Sequence, residues 1–133
     1  MGRTPAAVTD TELAMLEVLW RDGQATRRTI ADALYPAGDA AHYATVQKLM
    51  ERLEDKGYVK HTRQRGALVY TPRVTREQLL NQRLREIAEK MCGGSVAPLV
   101  MNLVRAEPLS ANEIADLQSF LDEQKRLANA KKK

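Results

Sequence analysis

The amino-acid sequence predicts a mainly α-helical protein with a small β-hairpin: a winged helix-turn-helix domain followed by a C-terminal helical domain. Two observations support this prediction. In the first part of the chain, three segments with apolar residues at helical spacing precede two short segments of alternating polarity. Beyond them, three more amphipathic segments follow without a further strand pattern. We therefore expect a winged-helix domain over residues 1–74 and a helical dimerisation domain over residues 75–133.

Capping residues and helix breakers delimit the first three helices. Thr9 and Glu12 have the spacing of a capping box at the start of the first helix. Thr26 is placed to cap the second helix, and Pro36 stops it because proline cannot continue a helix. The third helix covers roughly residues 42–56, and its apolar stripe predicts that one face lies against a core.

After the third helix the period changes from helical to alternating. Residues 58–63 and 67–71 are the two predicted strands, and residues 64–66 connect them. Gly66 can take the positive φ that a tight hairpin turn needs. Three helices followed directly by a hairpin are the layout of a winged helix.

Further capping signals mark the helices of the second domain. Thr75 and Gln78 are spaced to cap the first of them, and Ser110 and Glu113 have the same spacing at the start of the last. Ser95 is the predicted cap of the short apolar helix between them.

The distribution of charge indicates a polyanionic partner. The formal net charge is +4, and residues 56–76 contain six Lys or Arg and no Asp or Glu. No segment is long and apolar enough to span a bilayer, and the N-terminus lacks the apolar stretch of a secretory signal. We therefore expect no membrane insertion and a cytoplasmic location, with which the single Cys92 agrees.

The third helix has the properties of a helix that reads double-stranded DNA. A major groove admits one α-helix, whose N-terminal residues reach the base edges. The predicted base-reading residues of this helix are Ala44, Thr45, Gln47 and Lys48. Hydroxyl, phenol and cationic groups around it are placed for phosphate contacts. These predicted phosphate-contact residues are Thr26, Arg27, Arg28, Tyr43, Arg52, Lys60, Arg63 and Arg65. The alternative is a solvated helix face beside solubilising charges at the edge of a sheet.

Enzyme and metal-sensor functions find no support in the sequence. His42 and His61 have no Cys, Asp or Glu partner at metal-ligand spacing. There is no glycine-rich phosphate loop and no pair of nucleophile and base that the predicted fold would bring together. We expect no catalytic residue, no metal and no cofactor, and we interpret Cys92 as a small buried apolar residue.

The three C-terminal helices carry more Leu and Val than so small a domain can bury alone. A second copy of the same chain is the simplest partner for these apolar faces. The residues predicted to form this dimer interface are Leu80, Leu84, Ile87, Met91, Leu99, Val100, Leu103, Val104, Ile114, Leu117 and Leu121.

Two motifs give the sequence a specific resemblance. The first helix contains E-L-x-M-L-x-V-L-W, and the third helix continues into the hairpin as T-V-x-x-L-x-x-R-L-x-x-K-G-Y-V. With the tail segment PLVMNLVRAEPLSANEIADL, these motifs resemble the penicillinase-repressor family, the BlaI/MecI/CopY group. The resemblance covers about residues 8–125.

This resemblance implies a homodimeric repressor that occludes a promoter by binding an inverted-repeat operator. In the β-lactam-responsive members, a membrane-bound sensor metalloprotease triggers cleavage of the repressor within its tail. The bond that matches this site here is Asn102–Leu103. Two interpretations of this bond stay open: it is cleaved in this way, or it belongs to core packing in a repressor regulated otherwise. The paired cysteines of the copper-responsive branch are absent, since Cys92 stands alone.

Two further functions remain as alternatives at this stage. One is a winged-helix repressor that senses a small molecule directly at its dimer interface. The other is a protein-docking module, which would bind DNA weakly and without sequence preference.

Overall fold

The computed structural model of the protein describes residues 7–131. They form two compact units that divide between Gln82 and Arg83, inside a helix and beyond the boundary expected after residue 74. The elements, in chain order, are α1 (Asp10–Asp22), β1 (Ala25–Thr26), α2 (Arg27–Leu34), α3 (Ala40–Asp55), β2 (Val59–Gln64), β3 (Ala67–Pro72), α4 (Arg76–Met91), α5 (Ala97–Ala106) and α6 (Ala111–Lys131).

β3 is the central strand of a three-stranded antiparallel sheet with the order β1-β3-β2. The hairpin pairs β2 with β3 from Val59 opposite Pro72 to Gln64 opposite Ala67. The predicted fold class is confirmed, with one addition. β1 has only two residues, too few to show a period, and it forms by pairing Ala25 with the distant Tyr70.

One apolar core joins the helices of the first unit to its sheet. The predicted stripe of α3 contributes Val46, Met50 and Leu53, all fully buried. Tyr70 of β3 is the largest of the fully buried side chains. Because the stripe of α3 is held in this core, the opposite face of the helix is turned to solvent.

Most of the predicted helix caps are confirmed. Thr9 and Glu12 form a reciprocal capping box, and the Thr26 hydroxyl accepts a hydrogen bond from the backbone N–H of Thr29. The pairs Thr75 and Gln78, and Ser110 and Glu113, cap α4 and α6 by the same reciprocal bonding. Each cap satisfies N–H groups that the first turn of a helix leaves without an internal partner.

Two helix starts differ from the sequence prediction. α3 begins at Ala40, before the expected residue 42, because the Asp39 carboxylate accepts from the N–H groups of Ala41 and His42. The His42 ring in turn accepts from the N–H of Asp39. In α5 the capping position is Val96, which has no side-chain cap bond, while the Ser95 hydroxyl only reaches the N–H of Ala97 at 3.4 Å.

Side chains of α1 fix the beginning of α4 within the first unit. The indole N–H of Trp20 donates to the carbonyl of Val74 at 2.8 Å. Arg76 lies over the Trp20 ring and forms a two-pronged ion pair with Glu17. This pairing lowers the pKa of Glu17, mainly through the hydrogen bonds from Arg76. These contacts hold the first turn of α4 against α1.

The helices of the second unit keep large apolar side chains at their surface. Neither α5 nor α6 contains a buried residue, and Met91 is 80% and Leu103 59% exposed. Within residues 7–131, no helix combines the length and the apolar character needed to cross a membrane.

A buried ion pair between Glu12 and Lys56 connects the start of α1 to the end of α3. The Glu12 side chain is 0% exposed, and its Oε1 accepts from Lys56 Nζ at 2.7 Å and from the N–H of Thr9 at 3.0 Å. Its Oε2 is buried without a hydrogen-bond partner in the described chain. Burial by itself would raise the pKa of Glu12, but the bonds from Lys56 and Thr9 together hold this pKa below its usual range. The ionised pair therefore ties the start of α1 to the end of α3.

Lys56→Met should destabilise the first unit by about 3–5 kcal/mol at pH 7, because it leaves an unpaired buried carboxylate. The free energy of unfolding in urea measures this loss. The double variant Glu12→Leu/Lys56→Met is the control and should recover much of the stability, since apolar side chains then replace both charges.

The dependence of stability on pH should further distinguish the wild type from the double variant. Because the pKa of Glu12 is lowered on folding, its contribution is present at neutral pH and is lost as the pH falls below about 4.3. The double variant lacks this loss. If the free energy of unfolding of Lys56→Met lies within 1 kcal/mol of the wild-type value at pH 7, the ion pair does not stabilise the fold.

Candidate nucleic-acid interface

The outward face of α3 presents the residues predicted to read bases. Ala44, Thr45 and Lys48 are exposed, and Gln47 is half-buried. The acidic residues of α3 all lie in its last five positions, Glu51 to Asp55. Within α3 the carboxylates are therefore confined to the C-terminal end, and at the N-terminus the capping Asp39 carboxylate accepts from the N–H groups of Ala41 and His42.

Arg28 and Tyr43 meet beside the start of α3. The guanidinium carbon of Arg28 lies 5.2 Å from the centre of the Tyr43 ring. Arg28 is exposed and Tyr43 half-exposed, so this stack places a cation and a phenol next to the base-reading face. Arg52 is exposed one helical turn beyond Lys48 and extends the cationic surface along α3.

Arg27 is oriented differently from Arg28, although the two are neighbours in sequence. Its Nε and one terminal nitrogen donate to the hydroxyl of buried Tyr70 at 3.1 and 2.8 Å. The side chain is 17% exposed, and it lies 3.6 Å from the carboxylate of Glu51 on α3. The structure thus places the Arg27 side chain between β3 and α3.

Thr26 is likewise engaged within the protein. Its hydroxyl accepts from the N–H of Thr29 and donates to the Thr29 hydroxyl at 3.1 Å. The side chain therefore serves the cap of α2.

The hairpin carries two cations at its tip. Arg65 and Gly66 form the two-residue turn, with φ of 51° and 82°, as a type I′ turn requires. Arg63 donates to the carbonyl of Gly66 at 3.2 Å, so its guanidinium stays beside the turn. Lys60 pairs with Thr71 near the other end of β2, roughly 16 Å along the strand from the turn. The structure brings Arg63 and Arg65 together and leaves Lys60 at the base.

His61 of the hairpin is turned to α3. Its Nδ1 lies 2.7 Å from both carboxylate oxygens of Glu54, and its ring centre lies 5.8 Å from that of Tyr70. No role for Tyr70 was predicted from the sequence. Its strand period marks Tyr70 as inward-facing, but only the tertiary structure brings Arg27 to its hydroxyl.

The fold and this surface define a winged helix-turn-helix DNA-binding protein. The profile of the penicillinase repressor family matches residues 8–123, which is most of the chain. The chain therefore belongs to the penicillinase repressor family, and with it to the DNA-binding transcriptional repressors. The resemblance found in the sequence is confirmed.

Two sequence relatives agree with this assignment. The penicillinase repressor of Bacillus licheniformis is 25% identical to this chain over 118 residues. The alignment covers 89% of this chain and 91% of that repressor. The methicillin resistance regulatory protein MecI of Staphylococcus aureus (strain N315) is 23% identical over 115 residues, covering 86% of this chain and 93% of its own. A solution structure of the DNA-binding domain of the repressor BlaI aligns with a TM-score of 0.46 at 22% identity, covering 59% of this chain and 93% of that domain.

Arg27→Ala should mainly lower stability, whereas Arg28→Ala should mainly affect DNA binding. Arg27→Ala leaves the buried Tyr70 hydroxyl without its donor and should cost about 1–3 kcal/mol in urea unfolding. Arg28→Ala should change stability by less than about 0.5 kcal/mol and should reduce the dependence of DNA affinity on salt. Equal loss of stability in the two variants would contradict the inward placement of Arg27.

Arg65→Asn should remove the positive charge at the hairpin tip and leave the fold of the hairpin unchanged. Asparagine accepts positive φ more readily than arginine, so the thermal midpoint should stay the same or rise. Affinity for DNA should fall, because the surface loses a cation at the hairpin tip. The matched control is Arg73→Asn, which removes an exposed cation beyond the end of β3. Unchanged affinity in Arg65→Asn would remove this residue from the interface.

Proposed function

We propose that this chain is a homodimeric repressor that binds an inverted-repeat operator and occludes a promoter. The observation that carries the proposal is the exposed N-terminal half of α3 with the Arg28–Tyr43 stack beside it. The hairpin tip adds two further cations. In this proposal α3 enters the major groove, where Ala44, Thr45, Gln47 and Lys48 meet base edges. Arg63 and Arg65 contact phosphates or the adjoining minor groove, and Arg28, Tyr43 and Arg52 contact the backbone.

The dimer interface of this proposal lies in α4, α5 and α6. Eight of the eleven predicted interface residues are exposed in the single chain, and the three others are partly buried. Burying one large apolar side chain stabilises an association by about 1.5–3 kcal/mol. These exposed apolar residues therefore favour a second copy of the chain as the partner. In this proposal a C2 dimer binds a two-fold operator, since protein symmetry and operator symmetry match.

Relief of repression by cleavage at Asn102–Leu103 forms the regulatory part of the proposal. This bond lies inside α5, where the Asn102 amide donates to the carbonyl of Pro98 at 2.8 Å. A protease would have to unwind this helix of ten residues, and its cut would detach α6 from the DNA-binding unit. The two half-site readers would then lose the effective concentration that the dimer provides. The partner required is a protease controlled by a membrane-bound sensor.

The test of DNA recognition is selection from random genomic fragments, followed by a salt titration on the best fragment. We expect an inverted repeat bound at about 10⁻⁸ M or tighter, with affinity falling at least about a thousand-fold between 50 and 200 mM salt. No enriched sequence, with only micromolar binding, would contradict the proposal and favour a protein-docking module.

The test of dimerisation compares Leu103→Asp with Met101→Asp on the same helix. Leu103 lies within the predicted interface, whereas the equally exposed Met101 points to another side of α5. Sedimentation of the full chain should give a dimer for the wild type and Met101→Asp, and a monomer with weakened operator affinity for Leu103→Asp. Two dimeric variants would exclude this face of α5 as the interface.

A further inference from the structure

Thr45 stands in the middle of the base-reading face, and its hydroxyl is already engaged. Its Oγ1 donates to the carbonyl of Ala41, one turn earlier in α3, at 3.0 Å. A hydroxyl has one proton, so this bond uses the only donor of the side chain. Thr45 nevertheless remains exposed.

The geometry of this bond determines which group faces the groove. The substituents on the threonine Cβ are staggered, so directing Oγ1 back to the helix leaves the Cγ2 methyl as the other branch. The exposed neighbours Ala41 and Ala44 also end in methyl groups. Thr45 therefore stands in apolar surroundings within an otherwise polar and cationic surface.

We propose that Thr45 determines operator specificity through its methyl group, by contacting the C5-methyl group of a thymine, and that its hydroxyl donates to no base. This inference rests on the proposed function, because it requires α3 in the major groove. The C5-methyl is the one apolar group that a base pair presents there. A hydroxyl whose proton is held by Ala41 cannot donate to the N7 or O6 of guanine, or to the O4 of thymine.

The experiment uses the full-length dimer and the inverted repeat obtained by selection. Each thymine of the repeat is replaced in turn by deoxyuridine, symmetrically in both half-sites, which removes only the C5-methyl group. At one position we expect affinity to fall about fourfold per half-site, which corresponds to ~0.8 kcal/mol per buried methyl group.

Two variants then separate the methyl group from the hydroxyl. Thr45→Val keeps a methyl and removes the hydroxyl, so it should retain both the affinity and the preference for thymine over uracil. Thr45→Ser keeps the hydroxyl and removes the methyl, so it should bind the thymine and the uracil operators equally at that position. Thr62→Ser, on the exposed part of β2, is the matched control and should behave as the wild type.

The ratio of the two affinities is measured within each variant, so a change in the folded fraction does not affect it. Loss of the thymine preference in Thr45→Val, with retention in Thr45→Ser, would overturn the inference and assign base reading to the hydroxyl. A tightly bound repeat without any uracil-sensitive thymine would also overturn it, while leaving the proposed function intact. If no sequence is enriched in the selection, the proposed function and this inference fail together.

Discussion

The arrangement of the DNA-binding unit depends on Tyr70. Its ring is fully buried on the central strand β3, and its hydroxyl accepts two hydrogen bonds from Arg27 at the start of α2. Arg27 also lies against Glu51 of α3, and the Tyr70 ring lies near His61, which bonds to Glu54. One buried phenol therefore links α2, α3 and both strands of the hairpin. A network of this kind fixes the angle between the reading helix and the wing, because each member loses a partner if another moves.

This constraint also explains how the basic residues divide between fold and function. Arg27 lies 3.6 Å from the carboxylate of Glu51 beside the sheet and offsets part of its charge. Arg28, one residue further and about 100° around the helix, stacks on Tyr43 at the surface instead. At the hairpin, the tip carries Arg63 and Arg65. The cations available to DNA are thus those that the protein does not need for its own packing.

The sequence predicted the parts of the fold that depend on local signals. The caps at Thr9, Thr75 and Ser110 each follow a spacing of three residues, which is visible without a structure. The start of α3 was missed because Asp39 and His42 cap it in a combination outside the usual Ser/Thr and Glu/Gln pattern. Strand β1 was missed because its two residues gain their structure from pairing with Tyr70 and Val69, which are distant in sequence.

Within the candidate site, the sequence predicted the outward face of α3 and the cations of the turn. It could not separate Arg27 from Arg28, since both are arginines at the start of α2 and only the position of Tyr70 distinguishes them. The hydrogen bond of the Thr45 hydroxyl to Ala41 could not be predicted either. Threonine in a helix has two accessible rotamers, and the sequence does not indicate which one is adopted.

The measurement that tests this account most directly is the change of backbone amide chemical shifts on adding the operator duplex to the isotope-labelled full-length protein. We expect the largest changes on the start of α2 at Arg28, on the N-terminal half of α3 and on the turn at Arg65 and Gly66. Changes confined to α5 and α6, or to the outer face of α1, would contradict the placement of the reading surface.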